Sequence, residues 1–277
     1  MRIQERREHV LSILRQRQRA SVDELADELD ASRETIRRDL TELAVRGLIR
    51  KFHGGATLPV AQAGEEAHEG PFQARLNENV AEKRMIARAA VRLFAPGDTL
   101  LVDTGSTTVL FAEELAKLPG LTVITNSTLI AQAIARGEGG SRAFLLGGEF
   151  KDEVSETVGP LVINQIRSFH PLHAVLTVGA ISAGGILDFN MEETEVARAM
   201  VEQATELTVL ADHSKIDKAG LFQVSPLTAI DRLVTDRPPP PALAMALANA
   251  QVETIVAAAP VSRSEEPARG RRSQSLA

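Results

Sequence analysis

Residues 32–56 read SRETIRRDLTELAVRGLIRKFHGGA, and few folds accommodate that order of signals. Ser32 is a helix N-cap residue, Ile36, Leu40 and Leu43 recur at helical spacing, and Gly47 stands where a helix closes. A basic run from Leu48 to Phe52 follows at once and turns over at Gly54-Gly55. The spacing predicts a helix leading directly into a short basic hairpin. Two more helices are predicted upstream. Over 3–18, Ile3, Val10, Leu11, Ile13 and Leu14 gather largely on one face. Ser21 opens the next, with Glu24 three residues on to complete a capping box, and Val22, Leu25, Ala26 and Leu29 at core spacing. Asp30-Ala31 leaves only a tight turn before Ser32.

Helix, short turn, helix sets the start of the second helix against a DNA major groove. Ser32, Arg33, Thr35, Arg37 and Arg38 stand at that start. Arginine pairs with guanine through two bonds, threonine meets the thymine methyl, and arginine or serine grips phosphate. Arg50, Lys51 and His53 would sit on the hairpin as a wing on the DNA backbone. A plain three-helix bundle with a solvated charged face carries the same periodicity and stands as the alternative.

Thr35-Ile36-Arg37-Arg38-Asp39-Leu40, Gly47-Leu48-Ile49-Arg50 and His53-Gly54-Gly55-Ala56 resemble the N-terminal winged helix of the DeoR family of bacterial transcriptional regulators. The resemblance implies Arg37 and Arg38 on DNA, and a structural Asp39 that orients an arginine.

Charge agrees with a small DNA reader on a larger body. Residues 1–57 hold twelve basic and ten acidic side chains, a balance of +2, against a net charge of −6 for the chain. A domain of the remaining length buries a full core without staples. The absence of cysteine excludes disulfides and thiolate metal sites and fits a cytoplasmic location. The first residues carry no secretory signal, and no apolar run reaches the ~20 residues of a membrane span. Without Tyr or Trp, base stacking on single strands is disfavoured. The expected organisation is a DNA-binding domain over 1–57, a linker over 58–71, an effector and oligomerisation domain over 72–257, and a disordered tail over 258–277, whose Arg269, Arg271 and Arg272 are solvated.

Beyond a helix at 80–94, β-rich and helical runs alternate. Strands are predicted at 99–102, 122–125, 143–146, 174–178, 207–211, 232–235 and 253–256, with helices at 107–118, 128–136, 160–168, 192–204 and 241–250. That alternation predicts an α/β domain around a mostly parallel sheet. In such sheets the carboxyl ends of the strands line the ligand crevice. Here they carry Asp103 with Gly105-Ser106-Thr107-Thr108, Thr125-Asn126, Gly147-Gly148 and Gly179. Glycines with helix-start N–H groups and hydroxyls make an anion cradle, and Lys215 would add a point charge on a phosphate. Any one of these loops is also an ordinary turn; four at successive strand ends point to a phosphorylated small ligand.

DTGSTT, VITNS, LLGGEFK, TVG, GILDFNMEETEVAR and ADHSK resemble the DeoR effector domain in order. The implied fold is similar to ribose-5-phosphate isomerase and the CoA-transferase group, and the implied ligand is a phosphorylated sugar or polyol. Phe72-Gln73-Ala74-Arg75, Asn77 and Glu82-Lys83 resemble the entry to that domain, which implies packing on it. Glu193 and Arg198 are implied near the ligand. The stretches LDF…E, ADHSK and TDRPPPPALAMAL resemble the glycerol-3-phosphate regulon repressors within the family. One departure is His173, where the family has aspartate at the start of the fourth strand.

The expectation is a DNA-binding transcriptional repressor acting as a homodimer or homotetramer on repeated half-sites and released by a phosphorylated sugar or polyol. Two alternatives stand beside it: an activator with the same ligand class, and an isomerase-like enzyme using Asp103, Glu192, Glu193 or Glu195 as base. A third, a nucleoid or scaffold protein, suits the acidic body poorly. No cofactor and no metal is implied.

Overall fold

Ser21 and Ser32 start helices as their spacing predicts. The Ser21 hydroxyl accepts from Glu24 N at 3.2 Å while the Glu24 carboxylate accepts from Ser21 N at 2.7 Å, and the Ser32 hydroxyl accepts from Thr35 N at 3.1 Å. The computed structural model describes residues 3–17, 19–45, 49–52, 54–57 and 70–257. Gly47, His53, residues 58–69 of the linker and the 258–277 tail therefore lie outside the described residues. The chain divides into two units, Met1–Glu65 and Glu66–Ala277.

The first unit runs α1 (Ile3–Arg17), β1 (Arg19–Ser21), α2 (Val22–Glu28), α3 (Arg33–Val45), β2 (Arg50–Phe52) and β3 (Gly55–Thr57). Val10, Leu14, Leu25, Ile36, Leu40 and Leu43 are buried together, so the three apolar faces read from the sequence meet in one core. The hairpin is wider than the sequence indicated. β1 pairs antiparallel with β3, giving a three-stranded sheet in the order β1-β3-β2. Three residues next to a capping box carry no alternation from which a strand could be read.

The second unit opens with α4 (Phe72–Asn77) and α5 (Val80–Ala90), followed by a 3₁₀ turn, so the helix expected over 80–94 ends early. Then come β4 (Thr99–Val102), α6 (Ser106–Leu115), β5 (Thr122–Thr125), α7 (Thr128–Arg136), β6 (Arg142–Leu145), β7 (Glu149–Lys151), β8 (Glu156–Val158), α8 (Pro160–Ile166) and β9 (His173–Thr177). The chain finishes with β10 (Ala180–Ser182), β11 (Gly185–Asp188), α9 (Met191–Gln203), β12 (Glu206–Leu210), β13 (Phe222–Ser225), β14 (Arg232–Thr235), α10 (Pro241–Asn249) and β15 (Glu253–Val256).

Seven strands form one parallel sheet in the order β15-β14-β12-β9-β4-β5-β6. Apolar residues alternate between its faces. Leu101, Ile124, Leu176, Val209 and Leu233 pack with α8, α9 and α10. Leu100, Val102, Val123, Val175 and Val234 pack with α5, α6 and α7. Burial on both faces is why these strands read as continuous apolar runs. After β4 the chain steps outward through β5 to β6, then returns to lay β9 on the other side of β4. This reversal opens a crevice at the carboxyl ends of β4 and β9. Two small antiparallel additions, the β7-β8 hairpin and the β10-β11-β13 sheet, were not anticipated from the sequence.

Candidate functional site

On α3, Ser32, Arg33, Arg37 and Arg38 are exposed and Thr35 is half-buried, while Ile36 and Leu40 anchor the opposite face. Arg33 Nε lies 2.7 Å from Asp23 and Arg38 Nε 3.5 Å from Glu34, all four side chains being well exposed. Lys51 Nζ donates to the Thr41 hydroxyl at 2.9 Å, tying the hairpin to α3. Arg50 begins β2. Asp39 is buried between Arg6 and Arg7, accepting from their Nε atoms at 2.6 and 2.9 Å. It thus orients two arginines of α1 and holds α3 against that helix.

The second candidate lies at the crevice. The Asp103 carboxylate accepts from Thr177 N through both oxygens, at 3.0 and 3.1 Å, stitching the loop after β4 to the end of β9. Burial pushes this carboxyl well above the usual carboxylate range; the Thr177 bond opposes the shift, and the charges of Asp188, Glu156 and Glu193 add to it. Gly105 is obligatory by contact, because a Cβ there would sit 1.8 Å from the Thr177 methyl. Ser106, Thr107 and Thr108 follow in the first turn of α6, all buried, with Thr108 Oγ1 donating to Gly105 O at 3.1 Å.

Beside this loop Asn126 Nδ2 donates to Glu156 at 3.1 Å and to Thr157 O at 3.1 Å. The Thr125 hydroxyl accepts from Ser127 N at 3.0 Å. Burial raises the Glu156 carboxyl to about 7, hydrogen bonds from Thr104 and Asn126 opposing and Asp188 adding. Asn126 Oδ1 and Ser127 Oγ are buried and have no hydrogen-bond partner among the described residues. Buried polar atoms seldom remain so, and these mark a place for a polar ligand.

Across β9, at the end of β12, the charge changes sign. Lys83 and Lys215 are 2% and 7% exposed, and both act on the buried carboxylate of Asp212. Burial lowers the Lys83 ammonium, Asp212 opposes this and Lys215 adds to it. Burial alone would raise Asp212, but bonds from Ser214, one of them from its N–H at 2.9 Å, and the two lysine charges hold it low. Asn79 Nδ2 also donates to Asp212, at 3.2 Å. Two desolvated ammonium groups around one carboxylate make this end cationic.

Several expected site residues do other work. Gln165 of α8 bonds both N and O of Gly147, at 3.1 and 2.7 Å. A Cβ on Gly148 would meet Val162 at 2.5 Å, and one on Gly179 would meet the Phe189 ring at 2.7 Å. These glycines serve close packing. Glu193 and Arg198 diverge around α9. Glu193 lines a cavity of about 490 Å³ with Phe72, Arg75, Asp188 and Asn190. Arg198 lines a different one, of about 350 Å³, with Asn164 and Arg167, and donates to Gln223 O at 2.9 Å. Arg198 is therefore not brought to the crevice with Glu193. His173 lies at the amino end of β9, away from the carboxyl-edge crevice, packed edge-on against Phe94 with Nε2 3.5 Å from Asp98.

Lys83, Arg75, Glu156 and Asp188 were not anticipated as site residues. A signal existed for Lys83: with Ile86, Ala87 and Ala90 it completes the apolar stripe of α5, where a lysine has no packing reason to be. Glu156 sits in a three-residue strand with no pattern to mark it.

Comparison with known proteins agrees with both halves. A DeoR-like helix-turn-helix domain model matches residues 6–62, and a DeoR C-terminal sensor domain model matches residues 78–237. The HTH-type transcriptional repressor GlcR of Bacillus subtilis is 34% identical over 91% of this chain and 96% of its own length. The glycerol-3-phosphate regulon repressor of Escherichia coli is 29% identical over 91% of this chain and 98% of its own. Among solved structures, ribose 5-phosphate isomerase A of Methanocaldococcus jannaschii overlaps 50% of this chain and 55% of its own, with a TM-score of 0.36 and 19% identity. With a DNA-binding unit and a sensor unit each matched in sequence, the chain belongs to the DeoR family of transcriptional regulators.

Proposed function

We propose that this regulator is a cytoplasmic homo-oligomeric repressor of a carbohydrate or polyol catabolic operon, released from its operator by a phosphorylated sugar or polyol. The observation that carries the ligand class is the division of charge along the crevice. Lys83 and Lys215, desolvated around Asp212, favour a phosphate at one end, and the amino terminus of α6 with Ser106 and Thr107 adds N–H groups and hydroxyls. Asp103, Glu156, Asp188 and Glu193 gather at the other, where carboxyl groups, two of them raised by burial, exchange hydrogen bonds with hydroxyls. A monophosphate with an uncharged hydroxylated end fits both. Glycerol 3-phosphate is the first compound to test, since one relative carries it in its name. Ser32, Arg33, Thr35, Arg37 and Arg38 would read the operator, with Arg50, Lys51 and His53 on its backbone.

One observation favours a second reading, an isomerase-like activity: a carboxyl raised to about 7 in a crevice is poised as a general base. An enzyme of that kind has no use for exposed arginines on a recognition helix, which supports the regulator instead. The test is binding of the full chain to DNA upstream of its own gene at fixed salt, with and without a panel of sugar and polyol phosphates. Binding weakened by one phosphate and not by its unphosphorylated parent is expected. Turnover of a sugar phosphate without DNA binding would select the enzyme.

A further inference from the structure

The crevice is engaged by the chain's own α4. Lys83 Nζ donates to the backbone carbonyl of Arg75, in the last turn of α4, at 2.5 Å. The Arg75 side chain lines the 490 Å³ cavity with Asp188 and Glu193, and its charge pulls the Glu156 carboxyl down against its burial. α4 therefore touches both ends of the proposed site, its carbonyl on the cationic end and its guanidinium facing the carboxylates. Phe72 anchors the helix by burial, with the Arg75 guanidinium 5.3 Å from its ring. Six residues are too few to hold a helix alone, so its position depends on its packing against the body, these contacts and its neighbour α6 among them. It is also the first described element after the connection to the DNA-binding unit.

We infer that α4 is the element through which effector occupancy reaches the DNA-binding unit: the phosphate takes Lys83 from the Arg75 carbonyl, the hydroxyls take the carboxylates that face Arg75, and α4 leaves the crevice. This rests on the effector reading above. A doubly charged phosphate outcompetes a neutral carbonyl for an ammonium, because in a desolvated site two opposite full charges attract more strongly than a charge and a dipole. The effector then binds the α4-released state better than the docked one, and that difference is what moves the equilibrium. A ligand that left both contacts in place would shift nothing.

The experiment is amide hydrogen exchange on the full chain, alone and with glycerol 3-phosphate or inorganic phosphate, with binding followed by calorimetry in the same samples. Exchange of the 71–78 amides should accelerate by about tenfold or more when either probe is bound, while α6 is unchanged or slowed. The chain has no cysteine, so a single Gln73→Cys on the exposed side of α4 carries a fluorophore that should respond with the same half-saturation. Lys83→Met, which suits the apolar stripe, should show fast 71–78 exchange before any ligand is added. Binding with unchanged or slowed α4 exchange overturns α4 release and leaves the effector reading standing. Ordinary slow exchange in Lys83→Met overturns the Lys83 contact as the latch. Absence of binding by both probes and by every sugar and polyol phosphate of the panel brings down the effector reading together with this one.

Discussion

Arg37 and Arg38 project from α3 with nothing to bury and little to lose. The Arg38–Glu34 pair is exposed on both sides, and such pairs contribute close to nothing to stability. Arg37→Ala and Arg38→Ala should therefore leave the thermal melt unchanged and weaken operator binding by about 1–3 kcal/mol each, measured by titration at fixed salt. Glu156 behaves in the opposite way, costing stability when charged. Its carboxyl rises from an ordinary value to about 7 on folding, so between about 4.5 and 7 the folded state holds a proton that the unfolded chain has released. Stability should fall as pH rises through that window, by up to roughly 3 kcal/mol for this group. Glu156→Gln keeps an oxygen for the Asn126 amide and should flatten that slope in urea titrations at several pH values. An unchanged slope would show that other groups set it. The two sites differ in legibility for a physical reason. Surface arginines at a helix start announce themselves, whereas Glu156 becomes a site residue only when the β7-β8 hairpin carries it under Asn126.

Elements in the second unit were readable wherever apolar runs were bounded by turn residues. All seven strands of the parallel sheet lie within a residue of their predicted bounds; in the five central ones burial on both faces leaves a run that a single face would not, while the edge strands β6 and β15 are partly exposed and were bounded by their flanking turns. β1, β7, β8 and β10 are three residues long, below the length at which alternation means anything. The glycine-rich strand ends were legible as loops but not in their use: Gly105 is needed for approach to Thr177, while Gly148 and Gly179 accommodate Val162 and Phe189. His173 stands at the amino end of β9, where it meets Asp98 and Phe94 instead of the crevice. In the first unit the α1–α3 contact depends on Asp39. Replacing it by alanine strands two partly buried guanidinium groups and should destabilise that unit by about 3 kcal/mol. Asp39→Ala should thus lower the melting temperature and lose operator binding together, seen by circular dichroism and titration. Arg37→Ala should lose binding alone, and a normal melt for Asp39→Ala would remove the clamp.

At the scale of the molecule, a head with a balance of +2 on a chain of net charge −6 makes affinity for DNA depend on few phosphate contacts and, in the homo-oligomer proposed above, on placing more than one head at once. An effector then needs only to disturb that placement. A hundredfold loss of operator affinity corresponds to about 2.7 kcal/mol of coupling. That coupling is reciprocal: whatever factor the effector takes from operator affinity, operator must take from effector affinity. The expected result is that the effector's dissociation constant, measured by calorimetry on the free chain and on the operator complex, rises by the same factor as the operator's dissociation constant rises with effector bound. In Lys83→Met both factors should fall to one, and operator affinity should already be as low as that of the effector-bound chain, because α4 no longer has a docked state for the effector to release. Equal factors persisting in that variant would mean the two sites communicate by a route that bypasses α4. Unequal factors in the unaltered chain would mean that the ligand acts on the DNA or on assembly, and the crevice would lose its place as the sensor.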